Sequence, residues 1–208
     1  MIVSYWLRDW TEFLKYEPDF SPRNLKTYKR GQIIKVHLGF NIGSEEGGLH
    51  YAVVVDTNNK RSSPVITIIP LTSLKPHIDV QKLRLGNVFL GNELYTSLNA
   101  KLSSTIHHLK EELETITSLT ASNGNQLTDE CIQKLEQLNK EIEFAKKMRH
   151  EIDKMKRGSI ALVNQITTVS KIRIYDPKTD HDILSGIRLS NEKLDQLDNE
   201  IVKMYTKK

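Results

Sequence analysis

The sequence predicts an α+β fold, on three observations. Residues 30–73 hold three short runs rich in β-branched side chains. Residues 93–157 hold two long apolar seams at helical spacing. After residue 158 strand-like runs return, and a helix with its own capping signal follows. Side chains alternate across a strand and repeat every 3.6 residues on a helix, so the two periods separate the two kinds of element.

In residues 1–27, Trp6, Leu7, Trp10, Phe13 and Leu14 recur at helical spacing. An amphipathic helix follows, either covering an apolar surface of the main domain or docking a partner. Pro18 and Pro22 mark the boundary of this extension. Ile33–Leu38 is the first strand, Ala52–Val55 the second and Val65–Leu71 the third. Between the first two lies a glycine-bearing loop, residues 39–48, where the backbone can approach a ligand closely. Pro76–Val80 reads as a short strand, and Lys82–Leu90 as a strand or hairpin about Gly86-Asn87.

From Glu93 the period changes. Leu94, Leu98, Leu102, Ile106, Leu109, Leu113, Ile116 and Leu119 form one seam, broken at residues 121–125. Thr128 is the N-cap of a second helix, with Asp129 and Glu130 in its first turn. Its seam runs from Ile132 to Met155 and stops at Gly158. Two seamed helices joined by a short polar turn pair antiparallel. Each spans about 40 Å at 1.5 Å per residue. Residues 159–175 return to strand character, Asp176-Pro177 is a turn, and Ser190 caps a C-terminal helix carrying Leu194, Leu197, Ile201 and Met204.

Composition narrows the class without choosing the function. The 208 residues allow one ordinary domain with an appendage. No apolar run reaches the length of a membrane helix, and Met1–Trp6 does not read as a secretion signal. The lone Cys131 excludes a disulfide framework and fits a reducing cytoplasm. A net charge of +4 suits an anionic partner such as RNA, though many proteins without one share it.

Several short words, in order, resemble the MazF/PemK family of toxin endoribonucleases from bacterial toxin–antitoxin pairs. They are Arg30-Gly31 before the first strand, Gly43-Ser44-Glu45-Glu46-Gly47-Gly48 in the loop, Ala52–Val55, Ser63-Pro64, and Pro70-Leu71-Thr72-Ser73. A later block, Gly158–Ile166, is similar to the family's strand ending in glutamine. The resemblance implies a small SH3-like β-barrel of the MazF/PemK/CcdB type with a closing C-terminal helix. The domains would be an extension at 1–27, a barrel at 28–92 and 158–208, and an inserted antiparallel coiled-coil hairpin at 93–157. It further implies a cytoplasmic homodimer that cuts single-stranded RNA, a protein antitoxin that blocks it, DNA binding together with that antitoxin, and no cofactor.

Metal-free RNA cleavage needs a base for the ribose 2′-OH, donors for the phosphoryl oxygens and an acid for the leaving 5′-oxygen. The seven histidines form no recognisable metal-ligand spacing, so no metal is expected. The family's catalytic arginine position is His50 here, and its catalytic threonine matches Thr72. Histidine is the better proton carrier and the poorer phosphate grip. His50 is therefore expected as general acid or base with Thr72 as phosphate donor, against a reading of His50 as a strand-start histidine. Candidate RNA contacts are Arg30, Ser44, Gly47, Gly48, Ser73, Gln165, Lys171 and Arg173. For Arg30, Gln165, Lys171 and Arg173 a structural or solvated role stands equally beside that one, and Glu45 and Glu46 read as solvated loop acids. The rival reading of the whole chain is a catalytically silent barrel that binds partners through its coiled-coil arm.

Overall fold

The computed structural model describes residues 2–122 and 128–207. The turn expected at 121–125 therefore lies largely outside the described residues. The chain divides into two compact units, Met1–Leu94 with Lys156–Lys208, and Tyr95–Met155.

The first unit is built on an antiparallel sheet. Its strands are β1 (Ile33–His37), β2 (Leu49–Val54), β3 (Val65–Ser73), β4 (Asn87–Gly91), β5 (Ser159–Leu162), β6 (Thr167–Ser170) and β7 (Ile174–Asp176). The order is β4-β5-β3-β2-β1-β7, with β6 also on β3. The nine-residue β3 organises it. Val65–Ile68 pair with β6, while Leu71–Ser73 pair with β5.

The sheet is not the closed barrel expected. Among the described residues β4 and β7 do not pair, so the sheet stays open. A physical reason lies in the C-terminal helix, α4 (Asn191–Tyr205). Lys193 Nζ reaches the Phe89 carbonyl of β4 at 3.4 Å, and Tyr205 donates to the Val163 carbonyl at 3.0 Å. A helix laid along an exposed strand edge satisfies it without a further strand.

Each sheet face carries its own apolar set. Ile34, Val36, Leu38, Ala52, Val54, Ile66, Ile68, Val169 and Ile174 cluster on one face with Leu25 and Tyr28. Ile33, Val53, Ile69 and Leu71 alternate onto the other and are buried too. Two of the expected caps are present. Ser190 accepts from the Lys193 amide at 3.3 Å and Thr128 from the Cys131 amide at 3.3 Å. Residues 76–80 are not a strand. The Ile78 amide bonds back to the Lys75 carbonyl, and Asp79 caps a single 3-10 turn at Val80–Lys82.

Helix α1 (Ile2–Tyr16) packs behind the β1–β2 loop. The Trp6 ring lies 5.9 Å from Phe40, Phe13 lies 5.7 Å from His37, and Asp9 meets His37 at 3.3 Å. This is the covering role, although Leu7 and Leu14 remain exposed.

The second unit consists of the long helix α2 (Glu93–Ser122) from residue 95 onward, and α3 (Asp129–Lys154) with Met155. Thr120 approaches Cys131 at 4.0 Å, and Lys101 lies over the Phe144 ring at 5.7 Å. Partner numbers that rise on one helix as they fall on the other order the two antiparallel. Leu98, Leu102, Ile116, Leu138, Met148 and Ile152 are buried. Helix α3 ends at Lys154, and Gly158 instead starts the approach to β5 with φ +81.

Candidate active site

The loop between β1 and β2 is pinched at its base. The Leu38 amide donates to the Gly48 carbonyl, and the Gly48 amide to the Gly39 carbonyl, both at 2.7 Å. Gly47 sits over this closure, where a Cβ would stand 3.1 Å from the Gly39 carbonyl oxygen. The Gly48 amide is therefore already used, and the expectation that it touches substrate is corrected.

Gln165 fastens the outer part of the loop. Its Oε1 accepts from the Glu46 amide at 2.7 Å, and its Nε2 donates to the Ser44 carbonyl at 3.1 Å. Asn41 Nδ2 donates to the Glu46 carbonyl at 2.5 Å. Both ends of the Gln165 amide thus bond backbone groups of the loop, with one N–H and one oxygen lone pair left over. Ser44 itself is exposed.

His50 lies on β2 opposite Val36. Ala52 and Val54 belong to the core cluster, and period-two alternation puts His50 on that face. Ala52 pairs with Pro70 of β3. The pairing ends there; continued by two residues, that register would set Thr72 across from His50. Ser73 follows on the other face and pairs with Ser159. His50 Nδ1 lies 3.3 Å from the Leu71 carbonyl, and Nε2 lies 3.4 Å from Glu46 Oε2. Each ring nitrogen thus has an oxygen beside it. Glu46 is thus no solvated loop acid. Its side chain is 24% exposed and engages the ring. The signal in the sequence was the four-residue spacing of Glu46 and His50, which carries meaning only once the loop closes.

A cavity of about 430 Å³ opens next to this pair. Glu46, Pro70, Gln165, Thr168 and Arg173 contribute to its walls. Arg173 Nη1 reaches the Leu38 carbonyl at 3.4 Å, and its guanidinium lies over the Trp10 ring at 5.4 Å. Helix α1 thereby holds the arginine from behind.

Two expected RNA contacts lie elsewhere. Arg30 stands at the far end of β1, where it donates to the Val55 carbonyl at 2.6 Å and pairs with Asp198 of α4. About six residues at 3.3 Å each separate it from the His50 end of the strand. Lys171 is 1% exposed. Its ammonium donates to the Lys60 carbonyl at 3.0 Å and lies over the Tyr28 ring at 5.7 Å. Burial pushes its pKa down, and the nearby Asp56 carboxylate opposes that push. A lysine this deep is a core residue and not a surface phosphate contact.

Among the described residues, a single group of three His, Cys, Asp or Glu side chains has the spacing to hold a metal ion. It is His108, Glu112 and Glu141 of the helical unit.

No curated protein matches this chain. A family model does match residues 29–120, a segment that carries the loop, His50, Thr72 and Ser73 but stops short of Gln165, Lys171 and Arg173. That model describes the PemK-like, MazF-like toxins of type II toxin–antitoxin systems, and it is this segment of the chain that resembles them.

Proposed function

We propose that this chain is a toxin endoribonuclease that cleaves single-stranded RNA without a metal ion and is neutralised by a protein antitoxin. What supports the reading is Glu46, which lies 3.4 Å from the His50 imidazole and lines an open cavity with Pro70, together with the β2–β3 register, whose extension would set Thr72 across from His50.

In this reading the scissile phosphate enters between His50 and Thr72. The ribose 2′-oxygen loses its proton and attacks phosphorus. The bond from phosphorus to the 5′-oxygen breaks, and that oxygen takes a proton. The products are a 2′,3′-cyclic phosphate and a 5′-OH. His50 exchanges the proton, and Glu46 fixes the ring and balances its charge. The Thr72 hydroxyl donates to a phosphoryl oxygen, and Arg173 offsets the developing negative charge. Ser44 and Gly47 border the path of the RNA.

Residues 1–27 serve as a covering extension, 28–92 and 158–208 as the toxin domain, and 93–157 as an arm inserted between β4 and β5. The active form is a cytoplasmic homodimer. Among the described residues no helix is long and apolar enough to cross a membrane.

One observation favours the rival, a silent domain that binds partners. The cavity wall holds Glu45 and Glu46 against the single guanidinium of Arg173, a weak field for a polyanion. Expression in bacteria separates the two readings. The nuclease arrests growth and loses the arrest with Thr72→Ala. A folded wild type that neither arrests growth nor cuts RNA supports the silent domain.

A further inference from the structure

We propose that His108, Glu112 and Glu141 form a Zn²⁺ site that ties α2 to α3. Each offers one ligand atom, and the three atoms lie within 4.8 Å of one another. His108 and Glu112 are one helical turn apart on α2, with Nε2 and Oε1 separated by 3.5 Å. Zinc bonds of about 2.0–2.1 Å in tetrahedral array place neighbouring ligand atoms about 3.3 Å apart. The α2 pair therefore stands at ligand separation already. Glu141 comes from α3 and closes a remaining gap of at most about 1.5 Å on that scale by side-chain rotation.

The donor set selects the metal. One imidazole nitrogen with two carboxylate oxygens suits a borderline cation, whereas magnesium and calcium prefer oxygen throughout. Three protein ligands leave a fourth position for water. Glu141 is also supported from outside, since Gln137 Nε2 donates to its Oε1 at 3.0 Å. Such an outer partner fixes a ligating carboxylate. A charged group near Glu112 is Lys134, whose ammonium pairs with Glu130 at 2.7 Å and feels Glu112 more weakly.

The same helix carries its own control. His107 and Glu111 form an equivalent pair at 3.3 Å. They belong to no group of three among the described residues. A generic histidine–glutamate surface pair would bind zinc equally at both places. The proposed site requires the α3 carboxylate and is confined to His108.

The test is calorimetric titration of the full chain with ZnCl₂ in chelator-free buffer, with far-UV circular dichroism to confirm that each variant is folded. The wild type takes up one ion per chain at this site. His108→Ala and Glu141→Gln each weaken binding at least about tenfold, a loss that even outer partners of a metal site produce. His107→Ala leaves the affinity unchanged. Zinc raises the melting temperature of the wild type but not that of His108→Ala. The inference is overturned if the wild type binds no zinc, if His107→Ala weakens binding as much as His108→Ala, or if zinc stabilises His108→Ala equally.

Discussion

Gln165 gives the sharpest structural prediction, because its two hydrogen bonds hold the β1–β2 loop from the 3-10 turn between β5 and β6, far along the chain. Replacing it with alanine removes the acceptor for the Glu46 amide at 2.7 Å and the donor to the Ser44 carbonyl at 3.1 Å. A hydrogen bond of this kind contributes about 1 kcal/mol net, so the loop loses about 2 kcal/mol of local stability. At about 1.4 kcal/mol per tenfold, local opening becomes about thirtyfold more frequent. Native-state hydrogen exchange at the Glu46 amide reads this directly, since local opening sets its rate. Global unfolding should change little, because the loop lies outside the core. Cleavage should fall as Glu46 loses its hold on His50. If Gln165 reads a base instead, Gln165→Ala alters sequence preference and leaves Glu46 exchange unchanged. That result would refute the fastening role.

Three further predictions follow from side chains tied to distant partners. Arg30→Ala should lower stability by about 1–2 kcal/mol in urea unfolding, through loss of the Val55 carbonyl bond and a part-exposed ion pair, and leave RNA cleavage intact. Lys171→Met should keep or raise stability, because a desolvated charge is replaced by an apolar chain, whereas Lys171→Ala should cost about 2–4 kcal/mol from the space it leaves. Below about pH 10.4 and above the lowered native pKa of Lys171, the unfolded chain binds the extra proton, so stability rises with pH there and Lys171→Met flattens the rise. Tyr28 acts in the opposite sense. Burial holds its phenol well above the ordinary value, with Asp182 and Asp176 adding to the shift. Its hydroxyl donates to the Pro177 carbonyl at 2.7 Å. Above about pH 10 the unfolded chain loses this proton first, so stability falls, and Tyr28→Phe should soften the fall in alkaline melts.

Much of the fold was legible because local chemistry decided it. The β-branched runs of β1 to β3 and the caps at Thr128 and Ser190 depend on neighbours within a few residues. Most of the failures share one cause, which is that the deciding partner lies far along the chain. Arg30 reads as a phosphate contact until Asp198, on α4, takes its guanidinium. Lys171 reads as surface charge because sequence carries polarity and not depth. The closed barrel failed at an edge that α4 covers through Lys193. Pro76–Val80 failed locally, since Pro76 and the capping Asp79 favour a turn. At the candidate site, Glu46 shows its contact with His50 only once the glycines close the loop and set its carboxylate on the ring.

The central claim is that His50 and Thr72 act on one phosphate. Its most direct test is the chemistry of cleaved ends, with purified chain and single-stranded RNA in excess EDTA. The account predicts 2′,3′-cyclic phosphate and 5′-OH termini from the wild type, with cleavage lost in both His50→Ala and Thr72→Ala while the fold persists. Cleavage at the parental rate in either variant, or 3′-OH and 5′-phosphate ends, would contradict it.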